Sequence, residues 1–126
     1  DHGDMLPQEL PKAVSDFIAR KYPGARIIDA EREKGNTEVD IIFAGKALEV
    51  CFGTGGAWLW TKTELRLSEI PDVVRRALQS SQYVTWEIDD ADLYESPDRV
   101  WYAFDMEDPR SEREATVRIL GDGTLL

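Results

Sequence analysis

An internal repeat constrains this chain more than any other feature of its sequence. Residues 9–14 read Glu-Leu-Pro-Lys-Ala-Val, and residues 69–74, sixty positions later, read Glu-Ile-Pro-Asp-Val-Val. Each copy opens an amphipathic helical stretch that is followed by strand-like segments and a glycine-rich turn. A repeat of this size predicts two similar units that share one core. We therefore predict a single domain over residues 1–126, with a first repeat at residues 6–65 and a second at residues 66–126.

The apolar residues after the repeated hexapeptide have the spacing of one helix face. They are Val14, Phe17, Ile18 and Tyr22 in the first repeat, and Ile70, Val74, Ala77 and Leu78 in the second. Pro11 and Pro71 suit a first helical turn, where the N–H that proline lacks has no partner in any case. The pair Pro23-Gly24 predicts the end of the first helix, because proline cannot continue its hydrogen-bond ladder.

Strand-like segments follow each predicted helix. Apolar residues alternate with acidic or polar ones at 38–43, 48–52 and 99–107, which is typical of half-buried strands. Residues 83–93 also have the composition of a strand, whereas residues 1–6 are expected to be a tail.

The predicted fold class is α+β, made of two tandem helix-plus-antiparallel-strand repeats. Successive hairpins favour antiparallel pairing, because parallel strands need long crossover connections. Two helices can cover only one face of such a sheet. We therefore expect both helices to pack on one face of the sheet and the other face to be open.

The charge balance limits the partners of this chain. It carries 25 acidic and 15 basic residues, a net charge of −10, and lacks the basic cluster that binds nucleic acid. No apolar run approaches the roughly 18–20 residues that span a bilayer. The chain starts at Asp1 without an initiator methionine, which is typical of a mature exported protein whose signal peptide has been removed.

The inventory of reactive residues argues against an enzyme. Cys51 is the single cysteine and His2 the single histidine, so a nucleophile and its base cannot be assembled in the usual ways. The same inventory leaves too few ligands for a transition-metal site. Cys51 lies in an apolar run and is expected to be a small packed residue.

Tryptophan placement predicts a binding surface. If Val100, Tyr102, Phe104 and Met106 face a helix, then Trp101 points to the opposite face with Asp105. Trp58 and Trp60 are expected to share a face of their own strand. Tryptophan on an open sheet face is a good anchor for a partner, and acidic neighbours favour a basic one. The predicted partner-binding residues are Trp60, Trp101, Ile42 and Asp105.

The acidic residues of the second repeat offer an alternative site. Hard cations such as calcium take several converging oxygen ligands, and two adjacent strands can supply them from Glu87, Asp89, Asp105 and Glu107. The competing interpretation is a solvated acidic edge that discourages strand-to-strand aggregation. Calcium is the one cofactor that this pattern suggests.

The first repeat also resembles a known family. The residues that carry the resemblance are Leu10-Pro11, Ala13-Val14, Phe17-Ile18, Tyr22-Pro23-Gly24-Ala25, Ile27, Leu48-Glu49 and Gly56-Ala57-Trp58. This pattern resembles the PepSY-like periplasmic proteins of Gram-negative bacteria. The resemblance implies two tandem repeats arranged as in β-lactamase inhibitor protein, and a periplasmic or secreted location. Members of that family have also been labelled calcium-regulated.

The residue patterns and the family resemblance together predict one function. We expect a non-catalytic exported binding or regulatory protein that recognises a protein or peptide partner through an open sheet face. A calcium-responsive periplasmic protein that uses the acidic strand residues is the alternative, and a small hydrolase ranks third. The oligomeric state and the identity of the partner stay open.

Overall fold

The computed structural model describes residues 2–6 and 9–126, which form eight strands and two helices. The strands are β1 (His2–Met5), β2 (Arg26–Glu33), β3 (Asn36–Phe43), β4 (Lys46–Phe52), β5 (Trp58–Glu64), β6 (Glu87–Glu95), β7 (Val100–Glu107) and β8 (Glu114–Leu120). The helices are α1 (Lys12–Lys21) and α2 (Asp72–Gln79). The chain divides into two compact units, unit 1 at Asp1–Thr63 and unit 2 at Glu64–Leu126. That the two repeats form one domain stays a prediction.

Unit 1 is an antiparallel meander covered by one helix. Its strands follow one another in the order β1-β2-β3-β4-β5, and α1 packs on one face of them. The core holds Leu10, Val14, Ile18, Tyr22, Ala30, Val39, Ile41, Leu48, Val50 and Phe52. Every second residue of β3 and β4 enters this core, because successive side chains of a strand point to opposite faces.

Unit 2 repeats this plan on a smaller scale. Its strands have the antiparallel order β6-β7-β8, and α2 packs on one face. The core holds Ile70, Val74, Leu78, Ala91, Phe104, Met106, Val117 and Ile119. The predicted class, α+β with two tandem helix-plus-antiparallel-strand repeats, is therefore confirmed.

Both helices are preceded by the same hydrogen-bonded ring. In unit 1 the carboxylate of Glu9 accepts a bond from the Leu6 amide at 2.7 Å, and the Glu9 amide donates to the Leu6 carbonyl. In unit 2 Glu69 and Arg66 make the same pair, with the carboxylate 2.8 Å from the Arg66 amide. The glutamate of the repeated hexapeptide thus satisfies a backbone donor ahead of each helix.

The glycine-rich turns are also equivalent. Gly56 has φ +87°, and a Cβ at this position would lie 2.9 Å from the Cβ of Ala13 on α1. Gly123 has φ +95° and also lies against α2, where Val73 O is 3.5 Å from the position of a Cβ. Each turn therefore packs against the first half of the helix in its own unit, where a side chain would not fit without strain.

Two sequence expectations are wrong in detail. Residues 2–5 form β1, which pairs with β2 from His2 opposite Glu33 to Met5 opposite Ala30, where a tail was expected. The expected strand at residues 83–93 begins only at Glu87, because residues 81–86 form turns closed by hydrogen bonds such as Trp86 N to Tyr83 O at 3.0 Å.

Among the described residues, neither helix has the length and apolar character needed to cross a membrane.

Candidate functional site

The face of unit 1 that lies opposite α1 is strongly acidic. One cross-strand row consists of Asp29, Asp40, Glu49 and Lys62, and the next of Asp4, Glu31, Glu38, Cys51 and Trp60. We call the carboxylates Asp4, Asp29, Glu31, Glu33, Glu38, Asp40 and Glu49 the acidic face. It arises because the residues between the buried positions of β2, β3 and β4 are mostly acidic, and the register brings them side by side.

Crowding and burial disfavour negative charge on this face. The pKa of Glu38 is raised by burial and by the negative charges of Glu33 and Glu31. The pKa of Asp40 is raised by burial and by Asp29, against the opposing effect of Lys62. The pKa of Glu49 is raised by burial and then by Glu38, again with Lys62 opposing. A positive charge brought to this face would relieve the repulsion.

Cys51 lies within this face and is fully buried. It sits opposite Glu38 on one side and Trp60 on the other. Burial, with the negative charges of Glu38 and Glu49, raises the pKa of the thiol to about 11. The thiolate is the nucleophilic form of cysteine, so this side chain is unreactive at neutral pH.

Trp60 and Ile42 lie on the predicted face but not next to each other. Trp60 is opposite Cys51, and Ile42 is opposite Ala47. The row that contains Glu49 separates them. Both side chains are half-buried. Trp60 and Ile42 are therefore two separate apolar residues on a face that is otherwise largely acidic.

Trp58 does not share a face with Trp60, contrary to the expectation. The register of β4 and β5 shifts between Cys51 and Phe52, which places Trp58 opposite Phe52. The indole of Trp58 then stacks on Phe17 of α1, with ring centroids 5.4 Å apart. The extra residue of such a bulge interrupts the alternation of the strand, so Trp58 and Trp60, which are two residues apart, point to opposite faces.

In unit 2 the face opposite α2 carries an aromatic pair. Tyr94 of β6 is opposite Trp101 of β7, and their rings stack with centroids 5.1 Å apart and planes at 5°. The guanidinium of Arg99 lies 5.7 Å from the indole centroid of Trp101, within the range of a cation–π contact. Leu120 of β8 extends this row on the other side. Sequence reasoning identified Trp101 but missed Tyr94 and Arg99, although the alternation around Ala91 and Leu93 would have placed Tyr94 outward.

Asp105 lies on the same face as Trp101, two rows away. Its row joins Asp90, Asp105 and Thr116, and the Thr116 hydroxyl donates to its carboxylate at 3.1 Å. The row of Ala103 separates it from Trp101. Asp105 therefore belongs to an acidic neighbourhood of its own and not to the aromatic row.

The four carboxylates of the alternative metal site are only partly brought together. Glu87 and Glu107 are opposite each other on β6 and β7, whereas Asp105 is opposite Asp90. The negative charge of Asp89, followed by desolvation and Glu114, raises the pKa of Glu107. Among the described residues, the acidic triplets with oxygens within 4.8 Å of one another lie elsewhere, in unit 1: Asp4, Asp29 and Glu31, and Glu31, Glu33 and Glu38.

Comparison with solved structures identifies the fold. A protein from Bacteroides fragilis described as BLIP-like, that is, like β-lactamase inhibitor protein, superposes with a TM-score of 0.84. It is 27% identical in sequence, and the match covers 97% of this chain and 85% of that one. The chain thus has a BLIP-like fold, as the resemblance implied. No protein-family model and no curated protein sequence matches the chain.

Two further solved structures share this fold. A DUF2874 family protein from Bacteroides ovatus is 22% identical, has a TM-score of 0.85, and is matched over 98% of this chain and 86% of its own. A protein from Bacteroides eggerthii, provisionally described as periplasmic, is 20% identical with a TM-score of 0.82, over 92% of this chain and 85% of its own. Similarity at this level of identity extends to the fold alone.

Proposed function

We propose that this protein is a non-catalytic, exported binding protein that recognises a basic protein or peptide partner through the sheet faces that lie opposite its helices. The observation that carries the proposal is the composition of those faces. In each unit a half-buried tryptophan, Trp60 or Trp101, lies on the face away from the helix, and Trp60 shares its row with the carboxylates of the acidic face. Indoles at such positions are typical anchors of protein interfaces.

The electrostatics of the acidic face support a basic partner. Glu38, Asp40 and Glu49 have raised pKa values because they are partly desolvated and repel one another or their neighbours. Lysine or arginine from a partner would stabilise their ionised forms. Complementary charge of this kind mainly speeds association and sets specificity.

A periplasmic location fits the comparisons. One structural neighbour is provisionally described as periplasmic, and another as BLIP-like. The name BLIP refers to inhibition of another protein, which is a binding function. We extend location and binding to this chain as part of the proposal, together with membership of the PepSY-like family that the first repeat resembles.

Quantitative capture tests the proposal. The immobilised protein is exposed to a periplasmic extract of the source organism, and the retained proteins are compared between the wild type and the variants Trp60→Ala and Trp101→Ala. The control is Val84→Ala, which removes a similarly apolar side chain, 57% exposed, from outside these faces. We expect the tryptophan variants to lose a partner that the control retains, and the purified partner to bind them roughly 30-fold more weakly. Equal retention by all variants would refute the proposal.

The calcium alternative rests on the crowding of carboxylates. Glu107 faces Glu87 and has a pKa raised by Asp89, so a cation would relieve like-charge repulsion there. Calorimetry with calcium tests it on the wild type and on a variant with both Asp89→Ala and Asp105→Ala. Submillimolar binding that the double variant abolishes would support the alternative, and no heat of binding in the wild type would exclude it.

A further inference from the structure

A depression on the α1 side of unit 1 differs in charge from the rest of the chain. Its volume is about 440 Å³, and it lies between the first turn of α1, the hairpin of β2 and β3, and the glycine-rich turn at residues 53–56. We call it the turn depression. Of the described residues that line it, Arg32 alone is charged, although the whole chain has a net charge of −10.

A buried hydroxyl without a partner opens into the turn depression. Thr37 lines the depression and is only 6% exposed. Within the described ranges its hydroxyl makes no hydrogen bond, and no side-chain oxygen or nitrogen that is completely enclosed there lacks a partner. The hydroxyl of Thr37 must therefore reach the open space of the depression. Buried polar groups normally have a partner, and here a bound group would supply it.

The strand register places Arg32 beside this hydroxyl. Arg32 on β2 lies directly opposite Thr37 on β3, which brings their Cβ atoms to about 5 Å from each other. The guanidinium of Arg32 is exposed, and no carboxylate of the described chain is paired with it. Its planar fork of N–H donors matches the oxygens of a phosphate or sulfate group.

The start of α1 adds partial positive charge to the same depression. This helix has ten residues, no side chain caps its N-terminus, and its first turn contains no acidic residue. Pro11 and Val14, at this end of the helix, line the depression. The first N–H groups of a helix have no partner within the helix, and they favour a negative charge nearby.

The equivalent helix start in unit 2 has carboxylates of its own. In the repeated hexapeptide Lys12 of unit 1 corresponds to Asp72 of unit 2, which lies in the first turn of α2. The residue before the glycine that packs on the helix is Gly55 in unit 1 and Asp122 in unit 2. Unit 1 therefore lacks the two carboxylates that unit 2 has at this place.

The row beneath the depression also differs between the units. In both units this row lies two residues beyond a buried alanine of the first paired strand. It joins Arg32 to Thr37 in unit 1 and Leu93 to Tyr102 in unit 2. The basic and hydroxyl side chains are thus a feature of unit 1 alone, and the shared framework of the two repeats does not require them.

We propose that the turn depression binds a tetrahedral oxyanion, the phosphate or sulfate group of a ligand, through Arg32, the hydroxyl of Thr37 and the start of α1. Arginine holds such groups by paired, charge-assisted hydrogen bonds, and a helix N-terminus adds N–H donors and a favourable dipole. The site goes beyond the proposed function, because it lies on the helix side of unit 1 and needs neither Trp60 nor Trp101.

Inorganic phosphate and inorganic sulfate are the probes. Each is titrated into isotope-labelled protein at pH 7 and constant ionic strength, with sodium chloride as the balancing salt, and the amide chemical shifts are recorded. We expect saturable shifts at residues 12–13, 32, 37 and 53–56. The anion that binds more tightly identifies the group as phosphate or sulfate. The absence of saturable shifts, or equal shifts with acetate, would overturn the proposal.

Substitution of the arginine tests the charge contact. Arg32→Gln should weaken binding of the preferred anion about tenfold or more, because it removes a charge-assisted hydrogen bond. Arg26→Gln is the matched control, since Arg26 is an exposed arginine at the other end of β2. It should leave the affinity unchanged. Equal weakening by both variants would mean that the anion is attracted by overall charge alone and would overturn the site.

Substitution of the threonine tests the hydroxyl. Thr37→Val should weaken binding about threefold or more, whereas Thr37→Ser should retain it because serine keeps the hydroxyl. Without anion, Thr37→Val should melt at no lower temperature than the wild type, since the group that it removes has no partner in the protein. An unchanged affinity, or a variant that does not fold, would contradict the role given to Thr37. If anion binding fails while the tryptophan-dependent capture persists, only the anion site is wrong.

Discussion

The hydroxyl groups of Tyr22 and Thr61 lie 2.7 Å apart in the interior of unit 1. Thr61 is completely buried, and its hydroxyl oxygen also accepts a bond from the indole Nε1 of Trp58 at 2.9 Å. Tyr22 follows the last turn of α1, so this polar contact joins the end of the helix to β5. The position of α1 on the sheet is therefore fixed by a buried hydrogen-bonded group as well as by apolar packing.

Replacing Thr61 with valine should therefore destabilise the protein although the side chain keeps its shape. The Tyr22 hydroxyl would lose this partner, and the half-buried Trp58 N–H would lose its acceptor. A buried polar group without a partner costs about 1–3 kcal/mol, and we expect Thr61→Val to lower the free energy of unfolding by that amount in a urea titration. A double-mutant cycle with Tyr22→Phe should give a coupling energy of about 0.5–3 kcal/mol. Strict additivity would contradict the inferred contact.

The hydrogen-bonded rings that precede α1 and α2 predict that one substitution in each unit lowers stability by a similar amount. Glu9→Ala and Glu69→Ala each remove the acceptor of one backbone amide, that of Leu6 or Arg66. By analogy with capping residues, each should lower stability by about 1 kcal/mol. Glu112→Ala serves as the control, because Glu112 is an exposed glutamate in the turn between β7 and β8. A loss no larger than that of the control would show that the rings contribute nothing.

The hairpin between β3 and β4 contains a position that can be improved. Ala44 and Gly45 have φ values of +52° and +78°, the left-handed conformation that a two-residue type I′ turn requires. An alanine there is strained by about 1–2 kcal/mol, whereas asparagine tolerates it. Ala44→Asn should raise the melting temperature, and Gly45→Ala in the same turn should lower it. A decrease for Ala44→Asn would mean that the turn has another geometry.

The sequence predicts the helices better than the surfaces. The helical spacing of the apolar residues and the prolines before each helix locate α1 and α2, because both signals depend on neighbouring residues alone. β1 was missed because Gly3 and Asp4 have little strand propensity, and only pairing with β2 holds them extended. The positions of Trp58 and Trp60 depend on a bulge that no local pattern reveals.

The acidic face was missed for a related reason. The carboxylates of β2, β3 and β4 are regularly spaced in the sequence, but their crowding depends on the cross-strand register. Asp40 meets Asp29 on one side and Glu49 on the other, and a slip of one residue would separate them. The alternative metal site was predicted from carboxylates of β6 and β7. The bulge between Ile88 and Asp90 alters the pairing there, so that Asp105 lies opposite Asp90.

The acidic face should make stability depend on pH with an unusual sign. Glu38 and Glu49 have raised pKa values in the folded state, so between the unfolded and the folded pKa the native protein binds more protons than the unfolded chain. Their contribution to stability therefore falls as pH rises through that window, and it is fully unfavourable above the folded pKa.

Asp108 and Asp122 have lowered pKa values because of hydrogen bonds in their turns. Their contribution is of opposite sign and is lost as pH falls below the ordinary aspartate value.

Removing the two charges isolates the effect. A variant with Glu38→Gln and Glu49→Gln should unfold at a higher denaturant concentration than the wild type at pH 7, because it no longer pays for ionising crowded carboxylates. The difference should shrink as pH approaches 4, where the wild-type side chains are increasingly protonated. Asp98→Asn, which removes an exposed charge of unit 2, should change neither the midpoint nor its pH dependence appreciably. Equal destabilisation of the double variant at pH 7 and pH 4 would show that these carboxylates stabilise the face as hydrogen-bonded anions, and that the repulsion inferred among them is absent.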